Sequence, residues 1–240
     1  MTSYPLNNIL FLDIETVPQY VSYSNVPEDW KKLWAKKADL IIKDKQVETH
    51  ESIYNRAGIY SEFGKIICIS CGIISGAGSA KKLVLKSFYD HDEKILLKDF
   101  CEMLNKWTLE GNKYLCAHNG KEFDFPYMCR RLIINELLIP NILNLSGKRP
   151  WEIPHLDTME LWKFGDYKNF TSLNLLAQVL GIPTPKDDMD GSMVYDVYWR
   201  ENDMPRIVNY CQKDVITVAQ IFLRLSNEQI ILSENVEIKF

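Results

Sequence analysis

The chain has 240 residues, 46% of them hydrophobic and 12% aromatic, and carries a formal net charge of −4. That is enough apolar material for one large domain with a sizeable core, and it excludes a disordered or fibrous chain. The negative balance disfavours broad, sequence-independent adhesion to nucleic acid, which needs many phosphates neutralised, so any such contact is expected to be local.

No run of about 18 apolar residues is present, and the N-terminus opens into strand-like sequence without a basic segment, apolar stretch and cleavage site. A cytoplasmic protein without membrane association is expected. Asn8 to Asp13 is a strand pattern ending in Phe11-Leu12-Asp13-Ile14-Glu15-Thr16. Side chains alternate with a period of two, so Asp13 and Glu15 share a face at the strand's carboxyl end and are positioned to share metals. Val17 to Phe63 is long, polar and amphipathic, with Pro27 at a helix start and helical spacing in Trp30, Leu33 and Trp34 and again around Ile53 to Ile59. It reads as a helical insertion beside the site. Lys31, Lys32, Lys36 and Lys37 share that helix; we read them as a solvated face with Trp30 and Trp34 packed inward, ahead of a phosphate-tracking stripe.

Gly64 to Ile74 and Lys82 to Phe88 are β-rich runs joined by Ser75-Gly76-Ala77-Gly78-Ser79, a hairpin connection. A helix is predicted from about Asp92 to Trp107, a brief strand at Lys113 to Ala117 and a helix from Phe123 to Asn135. Ile153 to Leu156 reads as a final strand, followed by helices at Thr158 to Lys163, Thr171 to Leu180 and about Pro205 to Leu225. The tail beyond Ser226 has no clear assignment. This order fits one α/β domain. The six cysteines mostly lie in apolar runs, and Cys68-x-x-Cys71 falls inside the strand Ile66 to Ile74 with no second ligand pair, so packed thiols are expected rather than zinc or disulfides.

Two further acidic strings accompany the first: His118-Asn119-Gly120-Lys121-Glu122-Phe123-Asp124, and Tyr210-Cys211-Gln212-Lys213-Asp214. Tyr210 and Asp214 are four apart on a helix and so face one way. Carboxylates converging without a His/Cys set suit Mg²⁺ or Mn²⁺ and metal-assisted chemistry on phosphate. Each string alone is common; three in this order on the predicted element types are not a surface accident.

Together the strings resemble the DEDD-type 3′-to-5′ exonucleases of the ribonuclease-H-like superfamily, tyrosine subclass (DEDDy). More specifically, they are similar to stand-alone bacterial proteins related to the proofreading exonuclease domain of family-B DNA polymerases. The resemblance implies an α/β ribonuclease-H-like fold, a mixed central five-stranded sheet flanked by helices, in a single domain over 1–240 with the insertion at about 18–63. It implies catalytic residues Asp13, Glu15, Asp124, Tyr210 and Asp214, with two divalent cations, Mg²⁺ or Mn²⁺, held by Asp13, Glu15, Asp124 and Asp214. Asp13 would bridge both ions, Glu15 and Asp214 would complete the nucleophile side, Asp124 would support the second ion directly or through water, and Tyr210 would orient the attacking water. With an ordinary pKa near 10, tyrosine is not expected to be the base.

Thr16 and Val17 are candidates to contact the terminal nucleotide, with the loop exit as the alternative. Asn119 and Phe123 are candidates for the 3′ sugar or a base, with a turn-capping amide and a core ring as alternatives. Asp157 is read as a helix cap, His118 as a hydrogen-bonded structural residue, and Pro183 to Gly191 as a solvated loop rather than a calcium site. The expected partner is nucleic acid, DNA ahead of RNA, with single-stranded or frayed 3′ ends favoured and a polymerase or repair protein as a further partner. The chain has no room for a polymerase domain, so proofreading would act in trans. The rivals are an RNA-processing exonuclease and a non-catalytic nucleic-acid-binding module.

Overall fold

Strand β1 (Ile9–Pro18) is buried along its first four residues, as expected of a strand covered on both faces. It lies within a six-stranded sheet among the residues that the computed structural model describes, which are 4–166, 168, 170–183 and 189–239. The other strands are β2 (Gly64–Ser75), β3 (Lys82–Tyr89), β4 (Tyr114–Ala117), β5 (Leu156–Asp157) and β6 (Val236–Lys239), in the order β5-β4-β1-β2-β3-β6. β2 is antiparallel to its neighbours β1 and β3, and the remaining pairings are parallel. Among the described residues the helices are α1 (Glu28–Ile41), α2 (Glu93–Trp107), α3 (Asp124–Ile134), α4 (Thr158–Lys163), α5 (Leu173–Val179), α6 (Val194–Asp196) and α7 (Met204–Leu225).

Alternation along β1 builds two cores. Leu10, Leu12 and Ile14 pack with Leu96 and Phe100 of α2 and Phe125, Met128 and Leu132 of α3. Ile9 and Phe11, on the other face, meet Val215, Val218 and Phe222 of α7, with the Phe11 and Phe222 rings 5.5 Å apart. Helices therefore flank a mixed sheet, and no helix among the described residues is long and apolar enough to cross a membrane. All six cysteines are free; Cys68, Cys71, Cys116 and Cys211 are buried.

The structure departs from the sequence expectations in instructive places. β1 does not end at Asp13 but runs on to Pro18, because β2 pairs with it as far as Gly64. What ends early is its other neighbour: β4 pairs only Tyr114–Cys116 with Ile9–Phe11. Asp13 and Glu15 thus sit inside a strand whose β4 edge has opened. β5 shrinks to Leu156–Asp157, since Pro154 has no N–H to donate and the pairing with β4 covers only two residues. The tail adds a sixth strand to the expected five: β6 aligns Val236–Lys239 with Leu83–Lys86, and Lys82 pairs with Glu237 at 2.6 Å.

Within Val17–Phe63, α1 follows Pro27 as expected, but Tyr54–Ile59 is a 3-10 turn. Trp34 is buried with Tyr54 and Ala57, and its indole donates to the His50 carbonyl at 2.7 Å. Trp30, expected to pack inward beside it, is 42% exposed; it sits in the first turn of α1, past the edge of that small core. Lys31 and Lys32 pair with Glu28 and Asp29 on the solvated face. Val194–Glu201, unassigned in the sequence, is one turn of α-helix continuing into a π-turn. Of the expected Pro183–Gly191 loop, Lys186, Asp187 and Asp188 lie outside the described residues.

His155 is a buried histidine that holds β4 in place. Its Nε2–H donates to the Ile142 carbonyl at 2.8 Å, and its Nδ1 accepts from the Leu115 N–H at 3.3 Å. Burial lowers its pKa to about 4. The folded protein therefore keeps the ring neutral, while the unfolded chain takes a proton below about 6.5. Stability should fall by about 3 kcal/mol as the pH drops from about 6.5 towards 4, and His155→Gln should remove that part of the slope in pH-resolved thermal melts.

Candidate active site

Strand β1 and helix α7 bring the two ends of the chain together. Asp13 and Glu15 lie on the β1 face that α7 covers, where α7 offers Tyr210, Cys211 and Asp214. The last helix is capped at its start by Asp203, whose carboxylate accepts from the Arg206 N–H at 3.1 Å, with Pro205 in the first turn. Its four-residue spacing lets the Tyr210 phenol hydrogen bond to the Asp214 carboxylate. The donor atoms of Asp13, Glu15 and Cys211 all lie within 4.8 Å of one another.

The sequence identifies Cys211 only as a packed thiol, and it is buried. It also does more: its Sγ lies 3.4 Å from both Oδ2 and the backbone oxygen of Asp13 and donates to them. Burial and hydrogen bonding to Cys68 push its pKa up, so it stays a thiol and is a donor to Asp13 rather than a hard-metal ligand. The signal was its place one residue after Tyr210, on the edge of the helix face that meets β1.

Asp124 arrives from the other side. It opens α3, just past the end of β4, and its carboxylate accepts the Ile14 N–H that β4 no longer reaches. The turn that delivers it is tied down by Asp157, which is 2% exposed. Asp157 caps α4 through the N–H groups of Met159 and Glu160 at 2.9 and 3.3 Å, as the sequence suggested. It also accepts from Asn119 N–H at 2.9 Å and Lys121 N–H at 3.1 Å, which the sequence did not reveal. His118 is held by Thr158 Oγ1 at 2.9 Å and donates to the Thr171 carbonyl at 2.8 Å, a structural role. Gly120 leaves room that a Cβ would fill against Ala117 and Phe125.

These acids crowd one another. Burial first, then the charges of Glu15, Asp214 and Asp124, raise the Asp13 pKa well above the ordinary carboxylate range. Glu15 is raised by burial and by Asp214. Asp124 is raised to about 7 by burial, and further by Asp157 and Asp214, against the opposing bond from Ile14. Tyr210 is pushed above its ordinary value by burial and by the neighbouring acids, so it remains a protonated donor. Oxygen donors of like charge gathered at one place fit a hard divalent cation, whose charge would offset the repulsion.

The candidate substrate residues are dispersed around this centre. Thr16 and Val17 are strand residues, not a loop exit: the Thr16 side chain hydrogen bonds with Tyr127, and Val17 is fully buried. Tyr127 in turn donates to the Gly58 carbonyl at 2.7 Å, and Gly58 lies so close to Val17 that a Cβ would sit 2.9 Å from the Val17 carbonyl carbon. Phe123 is half-buried, its ring 5.3 Å from that of Tyr127. Asn119 takes a left-handed backbone with φ 62°, and its side-chain oxygen is buried without a hydrogen-bond partner.

Residues 59–238 match a family described as a predicted 3′-5′ exonuclease related to the exonuclease domain of PolB. That segment holds Asp124, Tyr210 and Asp214 and begins after Asp13 and Glu15. No curated protein matches the chain. Among solved structures, the family B DNA polymerase from the hyperthermophilic archaeon Pyrobaculum calidifontis is similar over 93% of this chain, at 13% identity and a TM-score of 0.50. The chain spans 24% of that polymerase, and the likeness is one of fold.

The crowding predicts a pH dependence opposite to that of His155. Asp124 has a folded pKa raised to about 7, so its stabilising contribution is complete below about 4 and is lost as pH rises towards 7. In EDTA, the melting temperature of the wild type should fall over that window, and Asp124→Asn should flatten part of the fall.

Proposed function

The chain belongs to the family of predicted 3′-5′ exonucleases related to the exonuclease domain of PolB, and from that premise we propose a metal-dependent enzyme that degrades DNA from its 3′ end. It hydrolyses phosphodiester bonds of single-stranded or frayed termini and releases nucleoside 5′-monophosphates. The observation that carries this reading is the approach of Asp13 and Glu15 on β1, with Asp214 and Asp124 near enough for their charges to raise the pKa of both. A stable arrangement of that kind calls for positive charge. When bound, two divalent cations, Mg²⁺ or Mn²⁺, supply Lewis-acid activation of water and stabilisation of charge on the phosphate.

The residues take distinct roles in this reading. Asp13, Glu15, Asp124 and Asp214 hold the cations, with Asp13 central because Cys211 fixes one of its oxygens. Tyr210, kept protonated by the acids around it, holds the attacking water by hydrogen bonding and takes no proton from it. The strained backbone and unpartnered buried oxygen of Asn119 support its contact with the 3′ sugar, whose hydroxyl would satisfy that oxygen. Thr16 and the backbone at Val17 border the terminal nucleotide, and Phe123 offers a ring edge beside Thr16's partner Tyr127. We take residues 1–240 as a single exonuclease domain, with 18–63 as an insertion that adds to the binding side. The setting is cytoplasmic repair, end trimming or proofreading.

A 5′-labelled oligonucleotide with Mg²⁺ or Mn²⁺ should shorten one nucleotide at a time and yield mononucleotides, and EDTA should stop it. Asp13→Ala and Asp214→Ala should reduce the rate to background; full activity in either would overturn the assignment. Tyr210→Phe should lower kcat by about a hundredfold with metal affinity unchanged. Matched RNA oligomers serve as the comparison substrate.

A further inference from the structure

Where α7 crosses β1, one atom differs in chemistry from its neighbours. Asp13 and Glu15 offer oxygen there and Cys211 offers sulfur, and the three donor atoms lie within 4.8 Å of one another. The Cys211 Sγ stands 3.4 Å from Asp13 Oδ2. Cys68, which is paired with Glu15 across β1 and β2, hydrogen bonds with Cys211 from the other side. Cys68 is in turn 3.8 Å from Ser70 Oγ, Ser70 is 2.9 Å from Ser87 Oγ, and Ser87 accepts from Gln212 Nε2 at 2.9 Å. This chain of polar contacts returns to α7 one residue after Cys211, so the sulfur is held against the carboxylates. Asp13 itself is only partly buried, which leaves an ion a way in.

A hard cation does not bind that sulfur. Mg²⁺ and Mn²⁺ are served by oxygen, and the thiol goes on donating to Asp13 beside them. A thiophilic ion such as Zn²⁺ takes thiolate and carboxylate together, with Zn–S of about 2.3 Å and Zn–O of about 2.1 Å. In a tetrahedral shell those lengths set sulfur and oxygen about 3.6 Å apart, close to the 3.4 Å between Cys211 and Asp13. The hydrogen bond thus already has the spacing of two zinc ligands. On binding, the thiol releases its proton to solvent and an S–Zn bond replaces S–H. Glu15 supplies the third ligand and water the fourth, a shell that zinc accepts.

We propose that Asp13, Glu15 and Cys211 form a site for a thiophilic divalent cation, Zn²⁺, which competes with the hard cations and inhibits the enzyme. Zinc held through sulfur commits Asp13 to a four-coordinate ion and withdraws it from the hard-cation arrangement. The zinc site stands on the donor geometry; the inhibition rests on the exonuclease reading above.

The probe is Co²⁺, a stand-in for zinc that gives a thiolate-to-metal charge-transfer band in the near ultraviolet when sulfur is a ligand. It is added to metal-free wild type and to Cys211→Ser, which keeps a hydroxyl facing Asp13, and Zn²⁺ and Mn²⁺ are then titrated as competitors. The wild type should show the band with one ion per chain, and both competitors should remove it, Zn²⁺ at the lower concentration. Cys211→Ser should lack the band and bind Zn²⁺ about tenfold more weakly or worse. No band in the wild type, or a wild-type band that saturating Mn²⁺ leaves intact, overturns the proposal however the variant folds. A band that survives Cys211→Ser overturns it too.

Cleavage of a 5′-labelled strand with Mg²⁺ is followed in parallel. Zn²⁺ should stop it in the wild type, and Cys211→Ser should require about ten times more zinc for the same fractional loss; equal sensitivity overturns the inhibition. Cleavage in a protein without the thiolate band refutes the zinc site alone, and the band in a protein that does not cleave with Mg²⁺ refutes the exonuclease reading alone.

Discussion

The arrangement of the whole site depends on where β4 stops. β4 accompanies β1 only to Phe11, and beyond that level the β1 backbone needs another partner for its N–H groups. Asp124 supplies one by accepting from Ile14. That contact sets an acid from the middle of the chain against the strand that carries Asp13 and Glu15. On the opposite edge, β2 continues to pair through Pro18 and keeps the strand extended.

Around that bond the electrostatics are arranged against the folded state. Burial and the charges of Asp214 and Asp124 favour protonation of Asp13 and Glu15, and burial with Asp157 and Asp214 does the same for Asp124. Such an arrangement persists because the surrounding structure over-determines it: Asp157 pins the turn before Asp124, Cys211 pins Asp13, and α7 is anchored by its apolar face to Phe11. The ordinary hydrophobic core on both sides of β1 carries the local cost.

Much of this was legible in the sequence, and the illegible part has a common cause. Period-two and period-3.6 patterns made β1, β2, β3, α2 and α7 readable, and the same periods put Asp13 with Glu15 and Tyr210 with Asp214. Local patterns carry no information about which strand ends first, so the length of β1 past Asp13 could not be read. The second task of Asp157 was hidden for the same reason: its cap on α4 is local, but Asn119 and Lys121 are nearly forty residues away. Cys211 looked like a core thiol because it is one; only the pairing of α7 with β1 sets its sulfur against Asp13. β6 is hard to read because its alternation, Val236-Glu237-Ile238-Lys239, spans only four residues and three of them are exposed.

Tyr127 joins the segment between β1 and β2 to the rest of the molecule at its roots. Its phenol binds the Gly58 carbonyl and meets the Thr16 side chain, and the two glycines at 58 and 64 are small enough for the chains to close on one another. The segment is held at its roots, and Tyr195 adds a bond to the Val21 carbonyl at 2.6 Å. The wall it contributes is already ordered before any ligand arrives, so the conformational entropy of shaping that wall is lost during folding and not during binding. Selectivity there would rest on fit to a fixed surface, with fast capture and little rearrangement, and not on closure around whatever enters.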